Sequence, residues 1–278
     1  MAANSSLPPV LYHYTTMGAL FKIIDGIKER NNHYYFELFA THYRFVNDPT
    51  EYKFVDNCVS KAVQECADNT ASEVYKKYSL ELDSNSEDPF VVSLSAAKDD
   101  LAMWRMYGDN GRGVVIGINA ASVTNTFNAN TSGIFNNCDY FDEESLIKMF
   151  VENGVGENYY KISKNLFGNS VECQSRDAKC LQHMRIFGKH SCYSAEDEWR
   201  IVKFSKLRQC EYREVNGTVV PYLRIQIPFE FLVEIVLGPC LDRELHKFSL
   251  QSFINKKVTD SESKSPRIEF SSVPYVVR

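Results

Sequence analysis

The sequence predicts an α+β domain, and three observations lead there. Runs of strand length, alternating or wholly apolar, lie in the first half and again near the end, at 10–14, 34–43, 90–95, 114–118, 222–228 and 231–237. A middle stretch at about 142–192 carries apolar residues at helical spacing instead. No repeat and no linker composition divides these parts, so the chain reads as one domain, 1–278, with a helical insertion.

Composition bounds the function. With 278 residues, 44% hydrophobic and 13% aromatic, the chain can build a substantial core. A formal net charge of -5 gives no strong basic field, which argues against a dedicated non-specific nucleic-acid binder. Residues 1–9 lack a basic start followed by an apolar run, and the apolar stretch 231–237 is short and contains Glu234. The expectation is a cytoplasmic protein with no membrane association. None of the eight cysteines forms a C-x-x-C pair, so they read as reduced thiols. Cys173, Cys180, His183, His190 and Cys192 are of the types that zinc takes, but their spacing matches no finger or ribbon, and no metal is expected.

In chain order, 10–14 is a first strand ending in His13-Tyr14, with Thr15 and Thr16 as helix caps before Leu20, Ile23, Ile24 and Ile27. A histidine there is presented to a cleft or satisfied in the core. The aromatic run 34–43 leads through Arg44 to Asn47-Asp48-Pro49-Thr50-Glu51. Asp48 suits a cap, Pro49 a first helical position and Glu51 the positive end of the helix. Phe54 to Cys66 carries a helical apolar stripe. The strand 90–95 ends in Ser93 and Ser95 on one face. Asp99 to Gly108 is a short capped helix with Trp104 and Tyr107 on one side. Asp109 to Gly113 is a turn that matches no phosphate-loop pattern. Residues 119–141, rich in Asn and Thr, are expected to be loop with one strand at most. Two helical patterns follow from Glu143, broken around Gly154 and Gly156, and a third at Leu181, Met184 and Phe187. Asp242 to Ile254 reads as a helix and 267–277 as a last strand or two.

The chain converges on Glu196-Asp197-Glu198-Trp199-Arg200-Ile201. On an extended chain Glu196 and Glu198 point to one face, and Trp199 and Ile201 suit the buried one. Two carboxylates on one face raise each other's pKa, or share a cation or a substrate. A solvated acidic edge strand would show the same letters.

Five pieces recur together: Tyr12-His13-Tyr14-Thr15, Asn47-Asp48-Pro49-x-Glu51, Ser93-Leu94-Ser95 with Met103-Trp104-x-x-Tyr107, Glu196-x-Glu198-Trp199-Arg200, and Ile235-Val236-Leu237-Gly238-Pro239. From about residue 10 to 240 this set resembles a widespread bacterial family of uncharacterised function. It also resembles the ADP-ribosyltransferase superfamily, in which a first-strand His or Arg, a Ser-x-Ser or aromatic motif and a Glu on a later strand bind and cleave NAD. That superfamily pairs Ser-x-Ser with arginine on the first strand, whereas His13 stands here.

The resemblance implies split mixed and antiparallel sheets with surrounding helices, and NAD as the substrate. Glu198 would stabilise the oxocarbenium-like ribose left when the nicotinamide bond breaks, and Glu196 would accept a proton from the incoming nucleophile. His13 would orient a ribose. Thr15 and the backbone at Tyr14 would hold the carboxamide. Ser93 and Ser95 match the second motif, Tyr107 or Trp104 would stack on nicotinamide, and Arg44 would pair with pyrophosphate. The acceptor would be a protein, a nucleic acid or water, and such a role fits a toxin or phage-defence effector. Two other readings stand beside it. One is a metal-dependent hydrolase or nuclease using Asp48, Glu51, Glu196 and Glu198. The other is a binding or regulatory protein on the same scaffold.

Overall fold

The computed structural model describes residues 6–47, 52–66, 87–129, 133–153, 177–258 and 265–275. The architecture is α+β, with a mixed, largely antiparallel sheet of 11 strands and helices on its faces. The strands are β1 (Val10–Thr15), β2 (Lys28–Arg30), β3 (His33–His42), β4 (Asp88–Ser95), β5 (Val114–Asn119), β6 (Ile134–Asn137), β9 (Glu198–Ser205), β10 (Glu211–Val215), β11 (Thr218–Pro228), β12 (Leu232–Leu237) and β13 (Arg267–Phe270). A small parallel pair, β7 (Asp139–Phe141) and β8 (Gly188–His190), stands beside it. The helices are α1 (Met17–Asp25), α2 (Phe54–Cys66), α3 (Leu101–Met106), α4 (Ala120–Ala129), α5 (Glu143–Asn153), α6 (Asp177–Phe187) and α7 (Arg243–Lys257). Among the described residues no helix is long and apolar enough to cross a membrane.

The sheet forks at β4. Strand β9 covers one edge of β4 along its length, from Asp88↔Ser205 to Ser95↔Glu198. The other edge is shared. Phe90 and Val91 pair with His42 and Thr41 of β3, while Ser95 pairs with Tyr12 of β1. One arm then runs through β3, β11 and β10, the other through β1, β5, β12 and β13. At 92–94 neither arm reaches that edge of β4, and the gap between them is the space in which a site can form.

Alternation along β4 and β9 sorts their side chains onto two faces. Phe90, Val92, Leu94, Trp199 and Ile201 enter the larger core with Leu20 and Ile24 of α1 and Leu250 and Ile254 of α7. Val91 and Val202 enter a second core against Val55 and Cys58 of α2, Phe150 of α5 and Phe187 of α6. Ser93, Ser95, Glu198 and Arg200 share the parity of Val91 and Val202, so they face the helices. The α2 stripe read from the sequence is the buried one.

Helix starts follow the expected capping chemistry. Thr16 Oγ1 accepts from Ala19 N at 3.1 Å, Asp100 Oδ1 from Met103 N at 3.0 Å and Asp242 Oδ1 from Leu245 N at 2.9 Å. The expectation for 119–141 is corrected. The segment forms α4, β6 and β7, with Asn119 Oδ1 accepting from Ser122 N at 2.9 Å. Among the described side chains only Ala120, Val123 and Phe127 carry the buried face of α4, a stripe too thin to stand out among polar neighbours. Hairpin β10–β11 turns at Asn216 and Gly217, both at positive φ (49° and 79°), the geometry for which Asn-Gly is suited. Of the helical insertion, α5, α6 and β8 are described, and the break at Gly154 and Gly156 lies outside the described residues. So do Asp48, Pro49, Thr50 and Glu51.

Candidate active site in the fork of the sheet

A cavity of about 800 Å³ opens in the fork, walled by the β1–α1 junction, β3, β4, the α3 end, β8, β9 and the β10–β11 hairpin. That volume suits a ligand of drug or dinucleotide size.

His13 sits where the two arms part. Its Nδ1 lies 3.0 Å from the carbonyl oxygen of Ser93, in the stretch of β4 edge that neither arm pairs. A carbonyl only accepts, so Nδ1 carries the proton, and the imidazole takes the place of a strand donor. The ring keeps partial exposure to the cavity, yet protein surrounds it. Burial lowers its pKa below the ordinary 6.5, against the Ser93 bond and aided by the charge on Arg213. The neutral tautomer leaves Nε2 as an acceptor suited to a hydroxyl.

The two glutamates do not share one strand. Glu196 ends a 3-10 turn, Ser191–Glu196, and Asp197 adopts a left-handed conformation (φ 41°) before β9 begins at Glu198. The turn is pinned by Ser95, whose Oγ donates to the Glu196 carbonyl at 2.7 Å and accepts from Ala97 N at 3.0 Å. Glu198 N donates to Tyr140 Oη at 2.8 Å. The kink still brings both carboxylates to one cation. Lys189 Nζ donates to Glu196 Oε2 at 2.6 Å and to Glu198 Oε2 at 2.8 Å. Arg200 grips Glu198 with two parallel bonds of 2.9 Å and donates a third to the Ile186 carbonyl. Tyr107 Oη donates to Glu196 Oε1 at 2.5 Å.

These groups are interior. Glu196, Glu198, Lys189 and Arg200 are 4%, 5%, 4% and 2% exposed, which rules out the solvated acidic edge. Two carboxylates balance two cations, the condition for burying any of them. Burial pushes the Glu198 carboxyl above its ordinary range, against the pull of Lys189. Burial opposes the Lys189 charge, but Glu198 leads the attractions that hold it well above the usual lysine range. Cys138 Sγ donates to Glu198 Oε2 at 3.7 Å, and burial pushes its pKa well up, which favours the thiol.

The fork gathers His13, Tyr14, Thr15, Ser93, Ser95, Tyr107, Glu196 and Glu198 around one cavity, with Asn47 on its rim. The Tyr14 hydroxyl is already committed to Ala97 O (2.9 Å) and Asp100 N (3.2 Å). Two expectations place differently. Trp104 is fully buried off the cavity, its Nε1 donating to Asp99 at 2.7 Å and its ring edge-on to Tyr14. Of the two aromatic candidates, only Tyr107 reaches the cavity. Arg44 is exposed beside Tyr43, donating to its hydroxyl at 2.9 Å, and does not line the cavity. Lys189 and Arg213 line it and escaped the sequence reading; an apolar-pattern search has nothing to report about either. Among the described residues no group of three or more His, Cys, Asp or Glu converges to hold a metal. His183 is buried, its pKa pushed down to about 4 by burial, and His190 Nδ1 accepts from Cys192 N at 3.1 Å. Cys173, and the side chain of Cys180, lie outside the described residues.

A family model described as "Protein of unknown function (DUF2971)" matches residues 103–201. The chain is therefore similar to an uncharacterised family, as the motifs implied. The match spans Tyr107, Lys189, Glu196, Glu198 and Arg200 but stops short of His13, Ser93 and Ser95. No curated protein and no solved structure shows significant similarity.

Proposed function

We propose that the cleft binds NAD, breaks its nicotinamide–ribose bond and passes ADP-ribose to a protein or nucleic-acid acceptor or to water. The observation that carries this reading is the convergence of His13, Ser93, Ser95, Glu196 and Glu198, distant in sequence, on one cavity in a forked sheet. The likeness of that set to the ADP-ribosyltransferase superfamily supports it.

In this reading the C–N bond breaks with its electron pair going to the pyridinium nitrogen, and neutral nicotinamide leaves. The ribose C1′ is left oxocarbenium-like, and the Glu198 carboxylate faces that charge. Neutral His13 accepts a ribose hydroxyl proton through Nε2. Glu196 takes the proton of the attacking hydroxyl, and Tyr107 offers its ring to nicotinamide. Lys189 and Arg200 act as positioning residues that fix both carboxylates.

Nicotinamide release from NAD, with and without cell lysate, tests this beside Glu198→Gln. Release by the parent that the variant loses, with its melting temperature retained, supports the reading. A variant as fast as the parent would sink it. A second reading has its own support: every oxygen of Glu196 and Glu198 is already engaged by a cation or a tyrosine, as in a structural ion cluster. A thermal shift with NAD and no release would favour that non-catalytic binding protein.

A further inference from the structure

Two arginines of the β10–β11 hairpin stack on the same pair of rings and differ in one respect. The Arg224 guanidinium lies 5.2 Å from the Phe39 centroid and 5.7 Å from that of Tyr222; Arg213 lies at 5.4 and 5.5 Å. Arg224 is saturated. It donates to Glu211 at 2.7 and 2.9 Å, to Glu37 at 2.8 Å and to Tyr222 Oη at 3.1 Å. Arg213 makes a single side-chain hydrogen bond, from Nη2 to Thr41 Oγ1 at 2.9 Å, and no ion pair among the described residues. Its Nε is buried with no acceptor.

The other charged groups on that side of the cavity do not satisfy it. Glu37 is bound to Arg224 and Lys28. Glu214 Oε1 accepts from Gly217 N. Lys189, the buried cation of the cavity, is consumed by two carboxylates. Lys22, also on the wall, adds an exposed positive charge without a partner among the described residues. A partly desolvated guanidinium with open donors and no counter-ion is unfavourable by itself, and it is relieved when an anion enters. A planar fork of donors matches a phosphate better than a point charge does.

We infer that Arg213 is the anion anchor of the cleft and takes the phosphate of a phosphorylated ligand, a nucleoside diphosphate fitting the cavity. This replaces Arg44 in that role. The phosphate end then lies near enough to His13 for its ring to feel the Arg213 charge. The inference deepens the NAD reading but rests on it only for the ligand's orientation.

The test is calorimetric titration with ADP and with adenosine as the uncharged control, on the parent, Arg213→Gln, Arg213→Lys and Arg224→Gln. The expected result is ADP binding at least tenfold tighter than adenosine and weakened by salt. Arg213→Gln should lose about tenfold or more of ADP affinity, Arg213→Lys should fall between, and Arg224→Gln should stay within about twofold. Equal ADP affinity in parent and Arg213→Gln, or no preference of the parent for ADP over adenosine, would overturn it. If Arg213→Gln fails to fold, Arg213→Lys and the salt dependence decide. An intact ADP pattern with no nicotinamide release would leave the anchor standing and remove the NAD reading. NAD turnover abolished by Glu198→Gln but with KM unchanged in the Arg213 variants would do the reverse.

Discussion

Two ion clusters in this sheet use the same ingredients to different ends. On β12, Glu234 accepts from Tyr12 Oη at 2.9 Å, Lys98 Nζ at 3.0 Å and Arg267 Nη2 at 3.0 Å. In the fork, Glu196 and Glu198 accept from Tyr107, Lys189 and Arg200. Each has buried glutamate, tyrosine hydroxyl, lysine and arginine. At Glu234 the cations lie outside: the Lys98 and Arg267 side chains are 38% and 67% exposed, so they cover the carboxylate from water. In the fork the cations are themselves buried, and Lys189 borders the cavity beside the two carboxylates while Arg200 lies off it. The same pairing shields a lone carboxylate from water in one place and holds two acids in position in the other. Gly117 makes the first cluster possible, since a Cβ there would come within 2.7 Å of Glu234 Cγ.

The comparison can be broken at its strongest point by removing the lysines. Lys189→Met leaves two interior carboxylates with Arg200 as their one cation among the described residues and should cost about 3–5 kcal/mol, read from urea unfolding. Lys98→Met should cost no more than about 1 kcal/mol, because Arg267 and solvent remain. Equal losses would mean that the fork cluster is an ordinary surface network. The acids themselves come next. Glu198→Gln should lower nicotinamide release by about 10²–10³-fold or more, while Glu234→Gln should leave turnover within about twofold and act on stability alone. A parallel loss of turnover in both would erase the distinction.

Asp139 sharpens the picture by supplying a buried carboxyl whose environment contributes burial alone. Its pKa is pushed up to about 7, whereas Glu37, with Arg224, Gln226 and Lys28 around it, is held below its ordinary value despite burial. The folded state thus binds a proton at Asp139 more tightly than the unfolded chain does. The stability this brings is fully present below the ordinary aspartate pKa of 3.8 and is lost as pH rises through about 7. His183 runs the other way: its neutral form is buried, so its contribution is lost as pH falls from about 6.5 towards 4. Asp139→Asn should flatten the first slope and raise stability at pH 8 by roughly 2–4 kcal/mol. No gain at pH 8 would show that Asp139 is paired when ionised. The smallest effect belongs to Ser95→Ala, which removes the clasp on the Glu196 turn and should cost about 1 kcal/mol. Its turnover should fall more than that of Ser93→Ala if the turn geometry sets Glu196.

Much of the fold was legible because local rules decide it. Thr16, Asp100 and Asp242 cap the helices that their spacing proposed, and the parity of Trp199 and Ile201 against Glu198 and Arg200 places the β9 faces. The Asn216-Gly217 turn was legible too, but went unread because β10 before it is mostly polar. Helix α4 was hidden by its thin apolar face. Of the residues the motifs name, His13, Ser93, Ser95, Tyr107 and both glutamates line the cavity, whereas Trp104 and Arg44 lie off it. Trp104 lies inside the short helix and packs on Tyr14, whereas Tyr107 is its C-cap and reaches the cavity. The expectation for Arg44 rests on charge and position along the chain, which say nothing about direction.

The sequence by itself determined which residues alternate, which cap and which carry acid, because those are properties of neighbours along the chain. Only the tertiary structure decided where one edge of β4 loses its partner, that Lys189 stands between two glutamates, and that Arg213 has no counter-charge among the described residues while Arg224 has two. Electrostatic pairing and solvent exclusion act through space, between β3, β8, β9 and a distant hairpin. No spacing rule along the chain records whether a charge has been answered.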